Sequence, residues 1–179
     1  MDMPLQIFNE IGNAGDIIII FLSFYLLWHK NTLFFYYTIG IFINTMLNLI
    51  MKCVFKQPRP SEDPNLFNLA LTRGKHILYK DRMPYDIFGM PSGHSQTALF
   101  STIFIYLSLK KQNVLYVYIF LSLIVTAQRI AYNHHTIIQV IAGAIFGSCF
   151  GYFIYSLAQL KIKGLNTEKL DNYCLGVMA

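Results

Sequence analysis

Apolar residues run through this chain in long blocks, without the strict alternation or the three-and-four spacing of a soluble domain. A helix needs about 20 mostly apolar residues to cross roughly 30 Å of hydrocarbon. Five blocks are candidates: residues 11–28, 32–51, 91–109, 114–127 and 136–160. The first has a short strongly apolar part, 17–28, and lacks the basic start and small-residue cleavage site of a signal peptide, so it is read as a helix. The third opens on a polar turn of Ser92, His94, Ser95 and Gln96. In the fifth, Gly143, Gly147 and Gly151 fall on one helix face, and small residues at that spacing let backbones approach closely in lipid. They are read as packing positions. The expected fold is all-α: a polytopic transmembrane helix bundle of about five spans, in one integral membrane domain over residues 1–179.

Composition strengthens this picture. Hydrophobic residues make up 55% of the 179 and charged residues 13%, against roughly a quarter charged in an average soluble chain. Mean hydropathy is +0.45. A disordered tail and a secreted disulfide scaffold are excluded. The formal charge of +5 does not indicate a nucleic-acid partner, because Lys and Arg sit at the ends of apolar runs and not along one face. Cys53, Cys149 and Cys174 lack metal-ligand spacing and are read as free thiols.

One stretch interrupts the apolar blocks. Residues 52–90 form a polar, proline-containing connection of a length that is usually functional in compact domains. Counting crossings puts this connection, the start of the third segment and the short link between the fourth and fifth on one face. The Lys110-Lys111 turn lies on the other. Three polar clusters are thus gathered by topology: Lys52, Lys56 and Arg59; Ser92, Gly93 and His94; Arg129, His134 and His135.

These clusters suit an anion. Arg offers a planar fork for phosphate oxygens, and a helix start offers free N–H groups and a positive dipole end. Two histidines can divide nucleophile and general-acid work. No acidic cluster suited to Mg²⁺ stands among them, so neither a metal nor another cofactor is expected. Lys56, Lys110 and Lys111 are read as snorkelling to headgroups. His29 is read as interfacial, and His76 carries no signal.

Three strings then resemble the type 2 phosphatidic acid phosphatase superfamily. The run from Lys52 through Lys56-Gln57-Pro58-Arg59-Pro60 resembles its KX6RP motif, Pro91-Ser92-Gly93-His94 its PSGH motif, and Arg129 with His135 the core of SRX5HX3D. The resemblance covers roughly residues 32–151, and the chain is one N-terminal helix short of the usual six. Two positions depart from the pattern: Gln128 stands for the usual Ser and Gln139 for the usual Asp. Gln at this place also occurs in the dolichyl-diphosphatase branch and in glucose-6-phosphatases. The wider strings Gly89 to Gln96 and His135 to Val140 are similar to that branch, so Gln139 is read as a branch marker.

The resemblance implies a membrane phosphatase that converts dolichyl or polyprenyl diphosphate to the monophosphate and inorganic phosphate through a phosphohistidine. His135 would be the nucleophile and His94 the acid and base. Gln139 would orient His135 by accepting from Nδ1–H. Lys52, Arg59, Ser92, Gly93 and Arg129 would hold phosphate oxygens. The expected partners are the lipid diphosphate and membrane lipids, with oligomeric state left open. Undecaprenyl diphosphate, phosphatidic acid or a sphingoid phosphate are alternative substrates, and a catalytically silent lipid-phosphate binder is the alternative class. Lys30, Lys110, Lys111, Lys161, Lys163 and Lys169 mark the opposite face as cytosolic. The site is then expected in the lumen of the endoplasmic reticulum in a eukaryotic setting, or in the periplasm at a bacterial inner membrane.

Overall fold

In a computed structural model of the chain, residues 3–80 and 83–175 are described, with side chains up to residue 164 apart from 80, 83 and 84. Lys169 and Cys174 of the sequence reading therefore fall outside the described side chains, whereas Cys53 and Cys149 are free and exposed. Five long helices carry the fold: α1 (Met3–Leu27), α2 (Asn31–Phe55), α4 (Gly93–Leu109), α5 (Gln112–Ala131) and α6 (Ile137–Leu175). Between α2 and α4 lie a short helix α3 (Pro64–Thr72) and an antiparallel hairpin of β1 (Ile77–Lys80) and β2 (Met83–Asp86).

Four of the long helices are long and apolar enough to cross a membrane; α4, with 17 residues, is the shorter one. It sits in the middle and touches α1, α2, α5 and α6. Its register against α6 follows from the glycine face. A side chain at Gly143, Gly147 or Gly151 would collide with the carbonyls of Ser92, Gln96 and Phe100 in turn, so the bare backbones run in contact. Around this pair Tyr37, Phe100, Phe104, Ile19 and Tyr118 form the apolar core. Large apolar side chains such as Phe21, Phe42, Phe120, Ile138 and Tyr152 point outward, as hydrocarbon allows and water does not.

The polar connection is more structured than its sequence indicates. Helix α2 continues four residues beyond the expected end and stops where Lys56 takes a left-handed conformation and returns its N–H to Lys52. Asp63 caps α3 by accepting from the N–H groups of Asn65 and Leu66, with Pro64 in the first turn. Phe67, Ala70, Ile87 and Phe88 give this cap a small core of its own. At the other end of the chain α1 begins at Met3, eight residues before its expected start, because its polar first turns find partners on α5: Asn9 accepts from Gln128.

The α4–α6 contact leads to a stability test. Gly147→Val should cost about 1–3 kcal/mol through overpacking, read as a lowered melting temperature in detergent. Gly164→Ala, where an added methyl meets open space, should be neutral or slightly stabilising.

Candidate active site

The three expected polar clusters meet at the end of the bundle capped by α3 and the hairpin. Lys52, in the last turn of α2, is buried with its Nζ 2.7 Å from Asp86 Oδ2 at the end of β2. Arg59 donates from Nε to the Asp86 backbone carbonyl at 2.9 Å. One hairpin residue therefore organises Lys52 and Arg59 of the first cluster. The Asp86 carboxylate is itself fixed by the Phe88 N–H at 2.9 Å. Asp86 was not singled out from the sequence, since nothing in its neighbours announces a partner 34 positions away.

The second cluster starts α4. Ser92 is the N-cap and fully buried; its Oγ accepts from the Ser95 hydroxyl at 3.0 Å. A buried network holds this helix start against α2: Asn48 donates to the Pro91 carbonyl and to Gln96 Oε1, and Gln96 donates to Asn44. Such polar pairs join helices that hydrophobicity cannot join in lipid. The His94 side chain, one-third exposed, has Nε2 3.6 Å from Asp16 Oδ2 on α1.

The third cluster is built by the turn that ends α5. Asn133 adopts a left-handed conformation, and the N–H groups of His134 and His135 then both return to the Arg129 carbonyl. Arg129 is buried; Nη2 donates to Asn13 Oδ1 at 2.6 Å, while Nε is left without a partner among the described residues. His135 is buried, with Nδ1 2.9 Å from the Gly89 carbonyl and 3.4 Å from Gln139 Oε1. Carbonyl oxygens only accept, so Nδ1 carries the proton and Nε2 presents its lone pair.

Gln139 does more than the resemblance implies. Its contact with His135 is at the outer limit of a hydrogen bond, and the Gly89 carbonyl is the stronger partner. Oε1 of Gln139 accepts from the Thr136 N–H at 3.1 Å, and Thr136 Oγ1 accepts from the Gln139 N–H at 3.2 Å. This reciprocal pair is a capping box at the start of α6. Nε2 of Gln139 reaches the Pro58 carbonyl at 2.9 Å, and Ser92 N–H bonds the Gln139 carbonyl at 3.0 Å. One residue thus ties all three clusters together. An Asp is a methylene too short for the same reach. Gly89 must be bare, because a Cβ there would meet the Gln139 amide at 2.6 Å.

Lys52 and Arg59 act electrostatically on both His94 and His135, and Arg129 and His134 act on His94 as well. Among the described residues no group of three or more His, Cys, Asp or Glu is placed to hold a metal ion.

A family model described as the PAP2 superfamily matches residues 19–163. The chain belongs to the PAP2 superfamily. Among solved structures, Aquifex aeolicus LpxE shares the fold with a TM-score of 0.64 at 20% identity, covering 87% of this chain and 88% of that one. The transmembrane PAP2 type phosphatidylglycerolphosphate phosphatase from Bacillus subtilis gives 0.59 at 18% identity, covering 89% and 79%. No curated protein matches at a significant level. The chain is accordingly a multi-pass membrane protein of the PAP2 superfamily.

In this PAP2 site the His135 imidazole is pushed down to about 3, first by burial and then by Arg59 and Lys52, against the opposing hydrogen bonds to Gln139 and Gly89. An unfolded histidine takes its proton near pH 6.5. The folded protein therefore binds fewer protons between those values, and this group makes stability fall as pH drops across that window. In histidine-labelled protein the His135 resonance, assigned by its loss in His135→Gln, should remain that of a neutral ring at pH 5. A midpoint near 6.5 would contradict this. Gln139→Ala removes the cap and the Pro58 tie together and should cost about 2 kcal/mol of stability, measured by thermal unfolding. Gln139→Asp should recover only the cap.

Proposed function

We propose that this PAP2 protein is a lipid diphosphate phosphatase that converts dolichyl or polyprenyl diphosphate to the monophosphate and inorganic phosphate through a phosphohistidine at His135. The observation that carries the reading is the fixed Nδ1–H of His135, held by two carbonyl oxygens, which frees Nε2 as a nucleophile. In the first step Nε2 bonds to the terminal phosphorus as its bond to the bridging oxygen breaks. His94 gives a proton to that leaving oxygen. Water then attacks the phosphohistidine, the N–P bond breaks, and His94 takes the water's proton.

The phosphate oxygens would lie among Lys52, Arg59, Arg129, the Ser92 hydroxyl and the Gly93 N–H at the positive end of α4. The unpartnered Arg129 Nε supports this, because a buried donor left empty costs about 1–3 kcal/mol until an acceptor arrives. Lys52 would share itself between Asp86 and the phosphate. The strings around Gly89-Met90-Pro91 and His135-Thr136 favour the dolichyl-type diphosphate. Lysines at Lys30, Lys110, Lys111 and Lys161 on the opposite face favour a lumenal or periplasmic site. The solved relative named for phosphatidylglycerolphosphate supports a second reading, in which a lipid phosphomonoester is the substrate.

Phosphate release from a panel of lipid mono- and diphosphates in EDTA tests the proposal. Polyprenyl diphosphate should be turned over fastest, and EDTA should cost nothing. Activity restored only by Mg²⁺ would sink the mechanism, and activity confined to monophosphates would favour the second reading. His135→Ala should abolish phosphoenzyme formation, and His94→Ala should slow turnover by roughly 10²-fold or more. His134→Ala should be mild. A dead His134→Ala beside an active His135→Ala would show that the nucleophile is the other histidine.

A further inference from the structure

The family pattern ends short of the residue nearest the proposed acid. The family model begins at residue 19, yet α1 sends a polar stripe into the site from before that point. Asn9, Asn13 and Asp16 recur at helical spacing on one face of α1, while Gln6 and Glu10 in the same turns are exposed and bond each other. Ionisable residues inside membrane helices are costly enough to be functional by default. Each has a target in the site. Asn9 binds Gln128 at 2.7 Å, Asn13 binds Arg129 at 2.6 Å, and Asp16 pairs with His94 at 3.6 Å. Gly12 and Gly15 make this approach possible, since a side chain at either would collide with Gln128 or Val125 on α5.

We propose that Asp16 is a positioning residue for His94, supplying from α1 a counter-charge that favours the protonated imidazole as the general acid. The inference rests on the phosphatase reading above. Burial of the ring is the first thing that opposes protonation of His94, followed by four groups that face it: Arg129 from α5, Arg59 from the connection after α2, Lys52 from α2, and His134 from the turn after α5. Asp16 from α1 is the carboxylate within ion-pair range that favours it. A bound diphosphate neutralises the cations, and the Asp16 charge then decides. The carboxylate faces Nε2, whereas Nδ1 has no protein hydrogen-bond partner among the described residues. Asp16 thus stands at one ring nitrogen, and the other is left without a protein partner among the described residues. His94 gives its proton to the leaving oxygen as the P–O bond breaks and recovers one from the water that attacks the phosphohistidine.

The contact spans more than a hydrogen bond, so its effect is one of charge and should be tested as charge. In histidine-labelled protein, Asp16→Asn should lower the His94 titration midpoint, measured with inorganic phosphate bound, by about one pH unit. The basic limb of the kcat/KM profile should move the same way. At neutral pH the loss should be roughly tenfold on polyprenyl diphosphate and much smaller on p-nitrophenyl phosphate, whose leaving oxygen departs without a proton. Asp16→Glu, which keeps the charge, should retain the wild-type limb. A merely structural role would lower both substrates equally and leave the limb in place. An active wild type with an unmoved His94 midpoint in Asp16→Asn overturns this proposal and leaves the phosphatase reading standing. A wild type inactive on every lipid phosphate overturns both.

Discussion

Hydrocarbon gives a helix nothing to hydrogen-bond with, so each spanning segment must satisfy its own backbone and be drawn to its neighbours by fit. Here the fit that governs the rest is the bare contact between α4 and α6. Gly143 lies against the Ser92 carbonyl, and the same contact repeats one and two turns further along, at Gly147 and Gly151. This register fixes more than packing. It brings the Ser92 N–H onto the Gln139 carbonyl and so aligns the start of α4 with the start of α6. His94 and His135 belong to those two helix starts. A shift of one helix past the other by a turn would separate the proposed acid from the proposed nucleophile by about 5 Å.

Around that axis the site is an exercise in keeping buried charge tolerable. Isolated cations taken out of water are expensive, and proteins pair them or bind anions. Lys52 has Asp86, Arg59 has the Asp86 carbonyl, and Arg129 has Asn13. None of these pairings is complete. Asn13 offers Arg129 a neutral oxygen, the Asp16 carboxylate acts on its charge without a hydrogen bond, and Arg129 Nε has no partner among the described residues. Partial compensation holds the cations in place in the empty protein while leaving net positive potential for a phosphate. Full pairing with carboxylates would stabilise the empty site and weaken the bound one.

The sequence made the helices and the convergence of the three clusters legible because both depend on local facts: block length, apolar content, and the parity of crossings. Lys52, Arg59, Ser92, His94, Arg129 and His135 all lie at the same end of the bundle as the crossings require. Other features needed distance information. Gly89 and Asp86 act through a main-chain carbonyl and a partner far along the chain, and neither leaves a residue-type signature. Two further signals were present but unused. Thr136 and Gln139 spell a capping box, and Asn9, Asn13 and Asp16 spell a polar stripe. Asn9 precedes the apolar block from which the first helix is read, and for Asn13 and Asp16 inside it hydropathy gives no sign of the partners on α4 and α5 that they meet. Helix α3 was announced by Asp63-Pro64, a cap and first-turn pair hidden inside a stretch read as loop.

The exchange of Asp for Gln at position 139 then becomes a question of where the negative charge has gone. In the superfamily pattern the carboxylate sits beside the nucleophile and favours its charged form. In this chain the nucleophile receives two neutral acceptors, and burial with Arg59 and Lys52 nearby keeps its ring uncharged. An uncharged ring is the form with a free lone pair at Nε2. A carboxylate is nevertheless present one helix away, at Asp16, against the other histidine. On the proposed reading the two histidines need opposite protonation states at the start of the reaction. Burial and the shared cations push both rings toward the neutral form, and the carboxylate beside His94, with neutral acceptors beside His135, biases them apart in that direction. Decay of a working site would be expected to lose the charge; here the charge lies beside the histidine that must begin protonated.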